Sequence, residues 1–259
     1  MTHMLNTTDQ LWLLQHAKGR LPSIDTQAIE SNLHNRIHQF WASNRLKPLL
    51  SKEWNTIGPI ENIDIENSIF NDPLMTSEHL LFQNDTLSKL HLIFVLDASL
   101  SLKSDDLWHL LLLVFGLQSM ANTIEVIAFS TEAKHIYAGF PFVQAKDLIE
   151  VYSNAIEPGY TNLECGIRFG TSAFNQHNHS KSQLIFITDG GWNMGCEPCK
   201  LDFLMHRCVF ILLNANDSIF EHFDQISKQS ATSFRLKSAQ DIIPMCEKFK
   251  RKLQNVFYR

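Results

Sequence analysis

Residues 92–101 read Leu-Ile-Phe-Val-Leu-Asp-Ala-Ser-Leu-Ser, an apolar run followed by Asp97, Ser99 and Ser101 at alternate positions. A short, continuous apolar run is typical of a strand that is buried on both faces of a sheet. The polar residues after it would lie where the strand ends, and an Asp-x-Ser-x-Ser turn can direct three oxygens towards one point. This stretch therefore predicts a buried strand with an oxygen-lined site at its end.

Two further fragments carry side chains of the same chemistry. Thr161 lies in Gly-Tyr-Thr-Asn, and Asp189 follows the apolar run 184–187 in Phe-Ile-Thr-Asp-Gly-Gly. Mg²⁺ takes oxygen ligands in a near-octahedral shell and retains several waters. An alternative stays open for Thr161, because Thr161 and Glu164 also have the spacing of a helix capping box. The three fragments together supply the predicted ligands of Mg²⁺ or Mn²⁺: Asp97, Ser99, Ser101, Thr161 and Asp189.

Composition is that of an ordinary soluble globular protein. The 259 residues are 44% hydrophobic and 19% charged, with a net charge of -5, so the basic face that nucleic-acid binding needs is not expected. The longest apolar stretch, residues 107–117, is too short to span a bilayer. The amino terminus lacks the pattern of a secretory signal, so a cytoplasmic location is expected. Five cysteines, an odd number, favour reduced thiols over a disulfide framework.

The chain is predicted to have two parts, an N-terminal region at 1–89 and an α/β domain at 90–259. Ile29, Leu33 and Ile37 recur at helical spacing, and Asp25-Thr26 could cap that helix. This apolar stripe could pack on the main domain or on a partner protein. Residues 53–88 are acidic, without Lys or Arg. They are interpreted as a solvated linker with short extended pieces, the alternative being an acidic docking strip for a basic partner or for the basic tail at 248–252.

From residue 90 onward, apolar strand-like runs alternate with helical stretches, which predicts a mostly parallel sheet. Only a hairpin-length segment separates Phe129 from His135, so the third strand is predicted to run antiparallel at an edge. Ligands of open α/β sheets bind beyond the carboxyl ends of the strands, where the strand order reverses. The predicted strands are 91–97, 123–130, 134–140, 183–189, 208–214 and 232–236, and the predicted helices are 105–121, 144–156, 162–175, 197–205, 218–229 and 239–256.

The three fragments resemble the von Willebrand factor A (vWA) domain and its metal-ion-dependent adhesion site (MIDAS). The MIDAS motif is Asp-x-Ser-x-Ser, a distant Thr and an Asp-Gly after a strand, and all of these occur here in order. The resemblance, over about residues 90–257, implies a three-layer Rossmann-like fold with a six-stranded sheet of order 3-2-1-4-5-6. It also implies that Ser99 and Ser101 bind the ion directly and Thr161 directly or through water. Asp97 and Asp189 would act mostly through water or by orienting the hydroxyls.

Among intracellular vWA proteins, the chain is most similar to bacterial CoxE-like proteins, which are paired with MoxR-type AAA+ ATPases. That similarity rests on Ile63-Asp64-Ile65-Glu66, Leu80-Leu81-Phe82, Gly159-Tyr160-Thr161 and Gly195-Cys196-Glu197-Pro198. Where the commonest motif has Gly and Met, this chain has Leu100 and Leu102, which leaves the ligands intact. The resemblance implies a non-enzymatic adaptor whose ion binds a Glu or Asp of a partner, such as the ATPase or its client.

Other arrangements of residues are weaker. Cys196 and Cys199 form a lone CxxC, which His206 and Cys208 could complete as a zinc site. His177 and His179 could chelate a metal, although a polar loop also explains them. A metal-dependent phosphohydrolase is an alternative function, with Asp105, Asp106 and Glu164 as the nearby carboxylates available for a general base. A scaffold with a purely structural metal is another. Neither a Walker A motif nor a Gly-x-Ser-x-Gly elbow is present.

Overall fold

The structure is a computed structural model, and it describes residues 11, 26–44, 54–55, 82–83, 90–156, 159–177, 182–196, 208–230 and 232–257. Its strands are β1 Trp54–Asn55, β2 Phe82–Gln83, β3 His91–Asp97, β4 Thr123–Phe129, β5 Ala133–Gly139, β6 Ser182–Thr188, β7 Cys208–Leu213 and β8 Thr232–Leu236. Its α-helices are α1 Thr26–Ser43, α2 Ser104–Leu117, α3 Ala145–Ser153, α4 Leu163–Gln176, α5 Asp217–Ser230 and α6 Ile242–Phe257. The predicted helix at 197–205 lies outside the described residues.

The main sheet has six strands in the order β5-β4-β3-β6-β7-β8. All neighbours pair in parallel except β5, which runs antiparallel to β4 at the edge. In chain order this is 3-2-1-4-5-6, so the predicted fold class, a three-layer vWA-like α/β fold with an antiparallel third strand, is confirmed. β1 and β2 form a separate antiparallel pair. The rest of the acidic stretch, including residues 63–65, lies outside the described residues.

The core has one layer on each face of the sheet. Leu92, Phe94 and Leu96 pack in one apolar cluster, and Ile93 and Val95 pack in the other. Successive residues of a strand point to opposite faces, so a strand covered on both sides must be apolar at every position. This explains the unbroken apolar run before Asp97.

The apolar stripe of α1 packs on the main domain. Ile29, Leu33 and Ile37 are buried in the same cluster as the sheet and α2. Trp41 Nε1 donates to the carbonyl of Leu112, at 3.2 Å. The ring of Trp41 lies so close to Gly116 that a Cβ there would be 2.1 Å from a ring carbon. Of the two targets left open for this stripe, the structure therefore shows the main domain, while the division at residue 90 stays a prediction.

Helix α2 is shorter than predicted, because its last turn tightens into a 3₁₀ helix at Gln118–Met120. The Gln118 side chain is buried and binds the backbone of Phe142 twice, as donor to the carbonyl at 3.0 Å and acceptor from the amide at 2.9 Å. This pair fixes the loop before α3. Hydrophobic periodicity does not reveal such a contact. The helix predicted at 105–121 therefore extends beyond Leu117, where the α-helix ends.

Candidate metal centre

Asp97, the last residue of β3, holds the turn that follows it. Its side chain is fully buried. Oδ1 accepts from the amide of Ser99 at 3.0 Å and from Ser99 Oγ at 2.7 Å, while Oδ2 accepts from Thr188 Oγ1 at 2.8 Å. The Tyr152 hydroxyl donates to the Asp97 backbone carbonyl. Both carboxylate oxygens thus point at hydroxyls, an arrangement suited to orienting ligands.

Three of the predicted ligands form a row of hydroxyls. Ser99 Oγ lies 2.7 Å from Ser101 Oγ, which lies 3.2 Å from Thr161 Oγ1. Ser99 and Thr161 are buried, and Ser101 is exposed. Residues from two loops that are distant in sequence therefore meet at the carboxyl end of β3.

Thr161 is held in place by its backbone rather than used as a helix cap. Its amide donates to Asn193 Oδ1 at 2.8 Å, and the Asn193 amide donates back to its carbonyl at 3.1 Å. The N-cap of α4 is Asn162, whose Oδ1 accepts from the Cys165 amide. The capping-box alternative for Thr161 is therefore wrong, and its hydroxyl is directed to Ser101.

Asp189 follows β6 in a tight turn. Oδ1 accepts from the Gly191 amide at 2.7 Å. Gly190 has a φ of 79°, and a Cβ there would lie 2.6 Å from Ile219 Cγ2, so both conformation and space require glycine. The structure places Asp189 near enough for its charge to raise the pKa of Asp97. It therefore joins the cluster through electrostatics, while the three hydroxyls touch directly.

Burial and neighbouring carboxylates raise the pKa of both acidic residues of the cluster, Asp97 and Asp189. Burial, and then the charge of Asp189, raises the pKa of Asp97 to about 6. Burial likewise raises the pKa of Asp189, with Asp106 adding to the effect. Crowded carboxylates next to a row of hydroxyls form an oxygen donor set that a hard divalent cation would compensate. The residues present thus fit a Mg²⁺ or Mn²⁺ ion, and their role as ligands stays a prediction.

The carboxylates considered as a general base are differently placed. Asp106 is buried and accepts from the Lys103 amide at 3.2 Å and from Asn214 Nδ2. Glu164 accepts from the Cys196 amide and from Arg168 Nε, both at 2.7 Å. Asp105 is exposed. Two of the three therefore already act as structural acceptors, and the phosphohydrolase alternative stays untested.

Sequence reasoning missed three residues that position the ligands. Thr188 precedes Asp189 directly, so its place at the end of β6 was a usable signal. Tyr152 and Asn193 reach the site from α3 and from the loop after β6, and nothing in their sequence context marked them. All three act on the backbone or orientation of predicted ligands.

The structure describes only some of the residues in the other two candidate metal clusters. Cys208 is fully buried within β7, whereas Cys199 and His206 lie outside the described residues, so the CxxC hypothesis stays untested. His179 also lies outside them. His177 instead meets residues far away in sequence, namely Glu125 and His91.

No protein-family model and no curated protein matches this sequence. Solved structures with similar folds include BatB, a conserved hypothetical protein from Bacteroides thetaiotaomicron, at 14% identity and TM-score 0.48, covering 66% of this chain and 100% of that one. A von Willebrand factor type A protein from Catenulispora acidiphila matches at 11% identity and TM-score 0.48, covering 66% of this chain and 43% of that one. The ArnB paralog VWA2 from Sulfolobus acidocaldarius matches at 16% identity and TM-score 0.45, covering 61% of this chain and 44% of that one.

These structural neighbours are von Willebrand factor A domain proteins. At such low identity they say nothing about ligand, partner or activity, and the fold assignment rests on the sheet order itself. Within the part of the chain that the structure describes, no helix has both the length and the apolar character needed to cross a bilayer.

Proposed function

We propose that this protein is a non-enzymatic, metal-dependent interaction module of the cytoplasm. It binds Mg²⁺ (or Mn²⁺) at a MIDAS-type site and through the ion binds a Glu or Asp side chain of a partner protein. The site residues are Asp97, Ser99, Ser101, Thr161 and Asp189.

The row of hydroxyls is the observation that carries this proposal. Ser99, Ser101 and Thr161 offer neutral oxygens with successive separations of 2.7 and 3.2 Å, while Asp97 accepts a hydrogen bond from Ser99 and so orients the first of them. When bound, the ion is held largely by neutral ligands and supplies an electron-poor centre that favours a carboxylate as a further ligand. An acidic side chain of another protein is therefore the fitting partner group.

The surface next to the site favours a protein over a small anion. Tyr160 precedes Thr161 and is 63% exposed, and Met194 follows Asn193 and is 43% exposed. Aromatic residues and Met are enriched at protein interfaces. Two exposed apolar side chains beside an oxygen-lined site offer the packing contacts that a macromolecular partner uses and an isolated carboxylate does not.

A MoxR-type AAA+ ATPase, or the client of such an ATPase, is the proposed partner. This part follows from the resemblance to CoxE-like proteins and from no contact in the structure. The pair would activate or mature a client protein.

Calorimetric titration of the full chain with Mg²⁺ and with Mn²⁺ tests the metal step. Wild type should bind Mg²⁺ at one site, and the Ser99→Ala/Ser101→Ala variant should show no measurable Mg²⁺ binding. The matched control is Ser119→Ala/Ser153→Ala, because those hydroxyls donate to the carbonyls of Gly116 and Glu150, which are not among the predicted ligands. It should bind metal as wild type does.

The partner step is tested with a co-expressed MoxR-type ATPase in a pull-down with Mg²⁺ or with chelator. Retention that requires both the metal and the two serines supports the proposal. If the ATPase is retained equally with Mg²⁺ and with chelator, and the melting temperature falls sharply on chelation, the scaffold with a structural metal is favoured instead. Turnover of an aryl phosphate that the serine variant loses would replace the proposal with a phosphohydrolase.

A further inference from the structure

A second cluster of metal-binding side chains lies at the opposite end of the same sheet. His91 is the first residue of β3, whereas Asp97 is the last. Glu125 lies in β4 with its side chain 9% exposed, and His177 directly follows α4. No residue of this cluster belongs to the MIDAS-type site, so the inference is independent of the proposed function.

Three imidazoles surround the single carboxylate. His177 Nε2 lies 2.8 Å from Glu125 Oε2, and His91 Nε2 lies 3.6 Å from the same oxygen. His135 Nε2 lies 2.7 Å from Oε1. Donor atoms of His91, Glu125 and His177 all lie within 4.8 Å of one another. The cluster thus has one carboxylate oxygen facing two imidazole nitrogens, with the other oxygen held by the third ring.

A β-bulge places His135 on this face of the sheet. Val126 pairs with Tyr137 but Ile127 pairs with His135, so one residue of β5 is skipped between them. Without the skip His135 would pair with Ala128 and point to the opposite face, because side chains alternate along a strand. Bulges are over-represented at sheet edges, where β5 lies, and also next to active sites.

His91 supplies the observation that points to a ligand. Its Nε2 is shielded from solvent, and at 3.6 Å from Glu125 Oε2 it lies just beyond hydrogen-bond distance of that carboxylate. Its Nδ1 lies 2.8 Å from Thr123 Oγ1. If Nδ1–H donates to that hydroxyl, Nε2 carries a lone pair directed at the cluster. Metal-binding histidines commonly use the second ring nitrogen in this way.

We propose that His91, Glu125 and His177 form a site for a divalent transition metal, with Zn²⁺ as the best fit, and that His135 positions Glu125 by holding its second oxygen. Two imidazoles and one carboxylate are a known zinc ligand set that leaves a fourth position for water or another ligand. Donor atoms around a tetrahedral zinc are about 3.3–3.4 Å apart, since the bonds are about 2.0–2.2 Å. The observed separations of 2.8 and 3.6 Å lie on either side of that value.

A bound ion would connect three parts of the fold and lie next to a cavity. It would join the start of β3, the start of β4 and the end of α4. Glu125 and His135 also line a cavity of about 440 Å³, which Phe169 and Gln176 of α4 border. Glu125 is therefore shared between the proposed metal site and this cavity.

The test uses Co²⁺ as a spectroscopic substitute for Zn²⁺ on the untagged, metal-stripped full chain. Wild type should bind one Co²⁺ with the intense visible bands of a four-coordinate site and without thiolate charge-transfer bands, and Zn²⁺ should displace it. Glu125→Gln and His177→Gln should each weaken binding at least a hundredfold. His135→Gln should weaken it about 10- to 100-fold, as expected of a residue that orients a ligand.

Three controls keep the result interpretable. Ser99→Ala/Ser101→Ala and His34→Ala/His38→Ala should retain the Co²⁺ spectrum, and circular dichroism should show that each variant is folded. His177→Gln is the ligand variant least expected to misfold, because the His177 side chain is 37% exposed at a helix end. Absence of a four-coordinate spectrum in wild type overturns the proposal, as does binding that the Glu125 and His177 variants retain. Thiolate bands that Cys196→Ser removes overturn it too.

Discussion

The two ends of the central sheet each bury a carboxylate, and the surroundings treat the two in opposite ways. At the carboxyl end of β3, Asp97 lies among hydroxyls and near Asp189, and burial and that neighbour raise its pKa to about 6. At the other end, Glu125 lies among three imidazoles, His91 foremost, and its pKa is lowered to about 2 despite burial. The first carboxylate is surrounded by oxygens, whereas the second is surrounded by imidazole nitrogens.

This difference sets the kind of metal that each end suits. Hydroxyl and carboxylate oxygens match Mg²⁺ and Mn²⁺, while imidazole nitrogens match Zn²⁺ and related transition metals. Helix α4 connects the two ends, because it starts just after Thr161 and stops just before His177. Its 14 residues span about 21 Å at 1.5 Å per residue. A change in how α4 packs on the sheet is therefore expected to affect both sites.

The largest effect is expected from Gly170→Leu, in the middle of α4. A Cβ there would lie 2.6 Å from Val95 Cγ2 and 3.4 Å from Leu184 Cδ1, so a larger side chain must push the helix off the sheet. We expect a loss of about 3 kcal/mol in the free energy of unfolding, at the upper end for overpacking. Affinity for Mn²⁺ and for Co²⁺ should fall together.

Urea unfolding and the two metal titrations measure these effects on the same preparations. Arg168→Ala is the matched control, because it lies on the solvent face of α4 with its side chain 67% exposed. Loss of only one metal in Gly170→Leu would show that α4 does not link the sites.

Zinc itself should stabilise the protein by a slightly smaller amount. At a free Zn²⁺ concentration a hundred times its Kd, the free energy of unfolding should rise by about 2.7 kcal/mol. His177→Gln should lose this increment and keep the one that Mg²⁺ gives. Denaturant melts with each metal in turn measure these increments. If wild type and His177→Gln were stabilised equally by Zn²⁺ and equally by Mg²⁺, the distinction between the two metal sites would be lost.

The next effect concerns the charge of Asp97 in the absence of metal. Its pKa rises from an ordinary 3.8 to about 6 on folding, so between these values the folded state holds a proton that the unfolded state has lost. The contribution of Asp97 to the stability of the metal-free protein should therefore fall as pH rises from about 4 to about 6, and Mg²⁺ should offset the fall at neutral pH.

Replacing Asp97 by Asn removes the charge and retains an acceptor for Ser99. We expect the metal-free variant to gain about 1–2 kcal/mol over wild type at pH 7, less than the full linkage because a neutral amide accepts more weakly. Asp105→Asn is the exposed control. Thermal melts over the acid range measure the difference in stability between wild type and Asp97→Asn. The advantage of the variant should grow as pH rises from about 4 to about 6, and an advantage that shrinks over this range would contradict the prediction.

The cluster at the carboxyl end of β3 could be predicted because most of its residues lie close together in sequence, whereas the residues around Glu125 do not. Asp97, Ser99 and Ser101 lie in one turn after a strand, and the apolar run before them marks its carboxyl end, so sheet topology and ligand chemistry indicated one place. Glu125 lies inside a strand whose remaining residues, apart from Thr123, are apolar. Its grouping with His91 and His177 depends on strand register and on where α4 ends, and His135 joins only because of a bulge. None of these features has a local signature.

The smallest expected effect separates histidines that would bind metal from a pair that would not. His34 and His38 of α1 have ring centroids 4.4 Å apart, yet each accepts a backbone N–H from the first turn of α3. His34 Nδ1 accepts from the Lys146 amide at 3.2 Å, and burial, then His38, lowers the pKa of His34 while Asp147 opposes them. The unfolded chain thus takes up a proton more readily, so stability should fall as pH drops below the ordinary value of 6.5.

In His34→Gln the side-chain carbonyl can accept the same N–H without titrating. This variant should lose that part of the pH dependence, whereas His34→Ala, which has no acceptor, should cost about 0.5–1.5 kcal/mol at pH 7. Neither should change Co²⁺ binding, because the lone pairs of this pair already serve the amino end of a helix. Melts at pH 7 and pH 5.5 with parallel Co²⁺ titrations measure both properties. A Co²⁺ site lost in His34→Gln would place the transition metal at α1 and not around Glu125.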